Sequence, residues 1–192
     1  MPAVALQPAV LDPQTGLDSA CGASAWPAKD GTLVEIRPIC ADDEQPMIKF
    51  HRGLSERTVY MRYFESLSVS ARTAHARLAR ICFVDPEREV VLIALATNPR
   101  SGEQTIVGVG RLSKRADPSS AEVALLVLDE SQGRGIGTEL LRQLIQFARH
   151  QRVRKIRAEM LRDNTAMQRV LKKFGFRLHL LDARSVCGVL NL

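Results

Sequence analysis

Gln132, Gly133, Arg134, Gly135, Ile136, Gly137 and Thr138 stand between an apolar-rich run, 121–128, and a segment with apolar residues at Ile136, Leu140, Leu141, Leu144, Ile145 and Ala148. The run reads as a strand, and the apolar spacing of about 3.6 reads as an amphipathic helix. The glycines therefore sit at a helix N-terminus, where unpaired backbone NH groups and the positive end of the helix dipole attract an anion. Residues without Cβ let the backbone approach a phosphate closely.

Other uses of such a loop fit less well. A dinucleotide fingerprint wants glycine or alanine where Thr138 stands, and a tighter turn than Asp129, Glu130 and Ser131 allow, although Glu159 ends the next strand where a ribose-binding acid could lie. A triphosphate loop needs Gly, four residues and then Gly-Lys-Ser/Thr, which nothing here supplies. A turn that binds nothing would not require alternating glycines, each costing roughly 1 kcal/mol relative to alanine in a helix.

Gln132-x-x-Gly135-x-Gly137 after a strand resembles the pyrophosphate-binding motif of the GCN5-related N-acetyltransferase (GNAT) superfamily. A second match follows: strand candidate 155–160, then Asn164, Ala166, Met167, Leu171, Gly175 and Phe176, is similar to the family's Asn-containing helix ending in a Gly-Phe pair. The resemblance covers residues 33–192. It implies acetyl-CoA as acyl donor, with cofactor-binding residues Gln132, Gly133, Arg134, Gly135, Ile136, Gly137, Thr138 and Asn164. It also implies that two parallel strands splay apart and that the pantetheine arm enters the gap, pairing with backbone at Leu125, Leu126 and Val127.

A chain of 192 residues with 45% hydrophobic and 25% charged residues can bury one good core, and a second domain would not fit. Residues 1–31 carry Pro2, Pro8, Pro13, Pro27, Gly16, Gly22 and Gly31 without a sustained period and read as a flexible extension on which Trp26 could still dock, ahead of a domain at 32–192. No basic residue precedes Lys29, unlike a secretory signal, and no apolar run approaches the roughly 18 residues of a membrane span. A cytoplasmic protein with no membrane partner is expected. Cys21, Cys40, Cys82 and Cys187 are irregularly spaced, which suits neither a zinc site nor a disulfide framework.

Residues 132–177 hold twelve Lys or Arg against Glu139, Glu159 and Asp163, a local net of +9 within a total of +6. That basic half suits an anionic cofactor such as coenzyme A, with Arg134, Arg142, Lys172 and Lys173 near it by position. Nucleic acid would also be attracted, but no groove-reading motif or aromatic series accompanies the basic residues, so it is the lesser alternative.

Elsewhere the pattern predicts a strand at 32–37, helix over 42–64 with a break near Gly53 and a fresh start at Ser55, and helix over 70–81. Strands follow at 89–97, 104–113 and 121–128. The crossover helix 136–149 makes strand 154–160 parallel to the one before it, and segments 176–181 and 185–191 close the domain as a hairpin. The fold class is α/β: a single GNAT-type domain whose mixed, mostly antiparallel sheet contains a splayed parallel pair and flanking helices.

Acyl transfer to an amine needs a base, a polarised carbonyl and a proton for the departing thiolate. Glu122 is the candidate base. Its Ala-Glu-Val-Ala setting, 121–124, resembles bacterial protein-lysine acetyltransferase domains, where a glutamate at this place acts as base, through water. The alternative is a strand-end carboxylate paired with a neighbouring arginine. Leu54, Ser55, Arg57, Tyr60, Arg62, Tyr63 and Phe64 are similar to a segment those domains use near the acceptor. Otherwise they form an amphipathic helix with Val59, Tyr63 and Phe64 in the core and the arginines solvated. Leu171 stands where the superfamily often has a tyrosine acid, so the thiolate's proton must come from elsewhere. His51, His75, His150 and His179 offer no pairing by spacing.

The expected activity is direct transfer of acetyl from acetyl-CoA to a primary amine, foremost the ε-amine of a protein lysine. A small-molecule amine acceptor and a noncatalytic acyl-CoA-sensing module are the alternatives, and an enclosed acidic pocket would favour the former.

Overall fold

The computed structural model describes residues 24–192. Its strands are β1 (Ser24–Pro27), β2 (Leu33–Pro38), β3 (Glu89–Thr97), β4 (Gln104–Lys114), β5 (Ser120–Val127), β6 (Lys155–Leu161), β7 (Arg177–Leu180) and β8 (Ser185–Asn191). Its helices are α1 (Glu44–Arg52), α2 (Glu56–Tyr63), α3 (Val69–Arg72), α4 (His75–Cys82), α5 (Ile136–His150) and α6 (Thr165–Lys173). The strands form one sheet in the order β1-β2-β3-β4-β5-β6-β8-β7, antiparallel except for β5 and β6.

β3 shows why the sheet has a core on each side. Its continuous apolar run sends Val90, Leu92 and Ala94 to one face and Val91, Ile93 and Leu95 to the other, as alternating side chains must. The first face packs on Leu140, Leu141 and Leu144 of α5 and Leu171 of α6, the second on Met47, Phe50, Val59 and Leu78 of α1, α2 and α4. A Cβ on Gly108 or Gly110 of β4 would lie 2.9 Å from Ile136 or Leu144, so these glycines let α5 lie close against the sheet.

The parallel pair is short. Ladder pairing runs only from Ser120 with Lys155 to Glu122 with Arg157. Beyond it β5 stays with β4, from Val123 to Val127, while β6 stays with β8. The two strands therefore diverge after Glu122, and the β5 edge facing the gap has no ladder partner there. This is the splay that the resemblance implied.

The structure departs from the sequence pattern in three places. Ser24–Pro27, inside the segment read as an extension, adds an edge strand, where the missing NH of Pro27 is tolerated and Trp26 packs on the core. Residues 1–23, with Cys21, lie outside the described residues. The helix expected over 70–81 is two, α3 and α4. Arg72, only 1% exposed, turns inward to donate to the Leu54 carbonyl at 3.2 Å, while the Thr73 hydroxyl donates back to Val69 and closes α3. Phe64, expected in the core of the amphipathic reading, caps α2 with φ 64° and is exposed, because the left-handed turn carries its ring outward.

Candidate active site

Three features meet around the end of β5: a glycine-rich helix start, a strand gap and a cavity. The helix start is the N-terminus of α5. Gly135 is its cap residue at φ 96°, and no side chain caps the helix, so its first amides have no intrahelical acceptors. A Cβ on Gly133 would meet nothing within 4 Å, whereas one on Gly135 would meet Trp26 Cη2 at 3.0 Å. The cradle is thus open on one side and backed by the tryptophan of β1 on the other. Fifteen residues of α5 supply a dipole aimed at it, which suits the pyrophosphate of coenzyme A.

The cradle is braced from several directions. The Gln132 side-chain amide donates to the Val127 carbonyl and to the Thr58 hydroxyl, both at 3.2 Å. The Lys29 amide donates to the Arg134 carbonyl at 3.1 Å, and the Arg134 guanidinium pairs with Asp30 at 2.7 Å. Ile136 is buried, while Gly137 faces Val127 and Leu125 of β5. Thr138 is half-buried in the first turn of α5. Sequence reasoning missed Thr58 and the turn 28–31 in this brace, because their approach depends on packing and not on any local motif.

Leu125, Leu126 and Val127 lie on the part of β5 that has left β6, so their strand edge is open to an extended chain such as a pantetheine arm. Asn164 lies in the turn between β6 and α6. Its side-chain oxygen accepts from the Met167 amide at 3.0 Å, so it also caps α6.

Glu122 is the last residue of β5 paired with β6 and so marks the point where the strands part. Its Oε2 accepts from Arg115 at 3.1 Å, the pairing weighed as the alternative role. Its Oε1 accepts no hydrogen bond among the described residues, and the side chain is 45% exposed, so water or an amine can reach it. Leu171 is fully buried against Gly188 and gives no proton. Burial pushes the Cys82 thiol up to about 11 and raises that of Cys187, so neither is a thiolate nucleophile at neutral pH.

On the α1–α4 face of the sheet a cavity of about 540 Å³ opens beside this strand edge. Its floor includes Val109, Arg111, Ala124, Leu125 and Leu126, and its walls include His51, Arg62, Tyr63, Arg77 and Arg80. Arg62, in the segment similar to the acceptor region, is therefore not a solvated surface arginine. Burial lowers its pKa, and its guanidinium lies 4.9 Å from the Tyr63 ring centre. No spacing in the sequence pointed to His51, Arg77 or Arg111, which arrive from three different elements.

The comparisons agree with this geometry. The family model described as an acetyltransferase (GNAT) domain matches residues 34–177. An acetyltransferase of Pseudomonas aeruginosa is 29% identical over 147 residues, covering 77% of this chain and 76% of its own length. Acetyltransferase Pat of Mycolicibacterium smegmatis is 29% identical over 147 residues, and the match takes in 77% of this chain but only 42% of Pat. Among solved structures, the GNAT domain of S. lividans PAT superposes with a TM-score of 0.77 at 26% identity, covering 88% of this chain and 97% of that one. A splayed strand pair, an uncapped glycine-rich helix start and a family match over three quarters of the sequence thus lead to one conclusion: the chain belongs to the GNAT acetyltransferase family and is an N-acetyltransferase that uses acetyl-CoA as its acyl donor.

Proposed function

We propose that the acceptor is the ε-amine of a protein lysine and that Glu122 is the general base. The observation that carries this reading is the position of Glu122, at the last rung before the strands part, with one carboxylate oxygen free of hydrogen bonds and half of the side chain exposed. A base so placed can be reached by a long side chain entering from outside. Glu122 takes the ammonium proton, directly or through water, and the freed nitrogen attacks the thioester carbonyl. The C–N bond forms as the C–S bond breaks, the nitrogen's second proton leaves to water, and solvent supplies the thiolate's proton because Leu171 cannot.

Two further observations support a protein acceptor over a small cationic amine. Among the described residues the cavity is lined by arginines and by no carboxylate, so an isolated ammonium has no partner there. Tyr60, Phe64, Val69 and Phe83 are exposed on the helical layer that roofs the cavity, and such residues suit contact with another protein. Among the described residues no helix is long and apolar enough to cross a membrane, and we place the reaction in the cytoplasm.

The test is thiol release from acetyl-CoA with lysine-bearing proteins and with small amines, followed by mass-spectrometric mapping of new acetyl-lysines. Acetylated protein lysines are expected. Turnover confined to small amines would replace this acceptor with a metabolite.

A further inference from the structure

The cavity beside β5 holds more positive charge than acetyl transfer requires. Among the described residues four guanidinium groups line it, and no Asp or Glu does. Arg111 is neutralised by Glu89, which also accepts from Ser113. Arg62, Arg77 and Arg80 form no ion pair among the described residues. Arg62 and Arg77 lie 4.9 and 4.7 Å from the centre of the same Tyr63 ring, so two unneutralised cations share one aromatic neighbour.

Buried polar atoms at the same place lack partners. His51 is 1% exposed, and neither of its ring nitrogens is hydrogen-bonded. The Arg77 Nε is likewise buried without an acceptor. Native interiors leave few such groups unpaired, and a cluster of them on a cavity wall marks the place where a ligand completes the bonding. Guanidinium groups that line one cavity without a carboxylate partner fit a carboxylate ligand. The floor of the cavity includes Leu125 and Leu126, part of the 125–127 stretch of β5 expected to carry the donor's arm, so whatever enters lies next to the thioester.

We propose that this cavity is a carboxylate-binding subsite. The carboxylate belongs either to a dicarboxylic acyl group on the donor or to the acceptor, as an acidic residue next to the target lysine. The second source rests on the lysine reading above, and the first does not. With a dicarboxylic acyl-CoA the bond changes are those of acetyl transfer: the ammonium proton passes to Glu122, the amine nitrogen bonds the thioester carbon and loses its second proton to water, and the C–S pair leaves on sulfur, which solvent protonates. The distal carboxylate is untouched and stays on the arginines.

Two comparisons test the subsite and separate its sources. Calorimetry compares succinyl-CoA with acetyl-CoA and needs no acceptor. Thiol release from acetyl-CoA compares lysine peptides that differ only in Asp or Asn beside the lysine, together with β-alanine and its amide. At least a tenfold preference for the carboxylate-bearing member is expected in one comparison. That preference should collapse below about threefold in Arg77→Gln, or in Arg62→Gln should the first variant fail to fold. A preference seen in calorimetry assigns the carboxylate to the donor, and one seen in thiol release assigns it to the acceptor. If the peptides are inert but β-alanine outruns its amide, the subsite stands and the lysine reading fails. The absence of any preference in the wild type overturns the proposal, and so does a preference that survives both substitutions.

Discussion

The Asp129 carboxylate accepts from the Ser55 hydroxyl at 2.7 Å, joining the start of α2 to the turn that follows β5. The same carboxylate accepts from the Ser55 amide at 3.0 Å and the Thr58 hydroxyl at 2.7 Å, while Ser55 also caps α2 by accepting from the Thr58 amide. Burial alone would raise the Asp129 pKa, yet these donors outweigh it and hold the group below the usual carboxylate range. Thr58 in turn accepts from Gln132, so α2 and the glycine-rich start of α5 share one hydrogen-bond network.

Asp129→Ala removes the acceptor of three donors at the surface. A stability loss on the order of 1 kcal/mol is expected, with weaker coenzyme A binding because Gln132 loses a fixed neighbour. Urea unfolding and a coenzyme A titration on the same variant check both. Affinity that holds while stability falls would show that the cradle stands without α2.

Gly135→Glu puts a side chain against Trp26 and a negative charge where the pyrophosphate should sit, at a residue whose φ of 96° disfavours any Cβ. Coenzyme A affinity should fall at least tenfold, about 1.4 kcal/mol. A folded variant with unchanged calorimetric affinity would place the pyrophosphate elsewhere.

Glu122→Gln keeps size and polarity but cannot take a proton. Turnover near neutral pH should drop on the order of 10² to 10⁴ while coenzyme A affinity holds. Part of the loss should return at high pH, as the acceptor amine, with an unperturbed pKa of about 10.4, supplies its own free base. Thiol release with a lysine-bearing acceptor across the pH range is the measurement, and wild-type rates in the variant reject Glu122 as base.

His51 makes a prediction about acid stability. Burial first, then the charges of Arg77 and Arg72, push its pKa from 6.5 down to about 4. Between those values the unfolded chain binds a proton that the folded chain refuses. The contribution is therefore fully present above pH 6.5 and shrinks as pH falls toward 4, by on the order of 3 kcal/mol in all. His51→Leu should flatten this part of the urea-midpoint profile. Equal slopes in wild type and variant would assign the acid sensitivity to carboxylates instead.

Much of this protein could be read along the chain because the relevant physics is local. An apolar period, a serine at Ser55 positioned to cap α2 and a glycine run before an amphipathic helix depend on residues a few positions apart, and they located most of the strands and helices and the glycine-rich start of α5. The crossover helix made β6 parallel to β5 for a reason that is also local, the length of the connection. Where β1 would pair was not legible, since four residues are too few to show a period. Nor was the inward turn of Arg72, which depends on Leu54 meeting it from another element. The cavity is the clearest case. His51, Arg62, Arg77 and Arg111 come from three helices and a strand, and only the packing of α1, α2 and α4 against the sheet brings them together. His51, Arg77 and Arg111 look like ordinary polar residues in sequence, because their meeting at one cavity arises from long-range contacts that no spacing encodes.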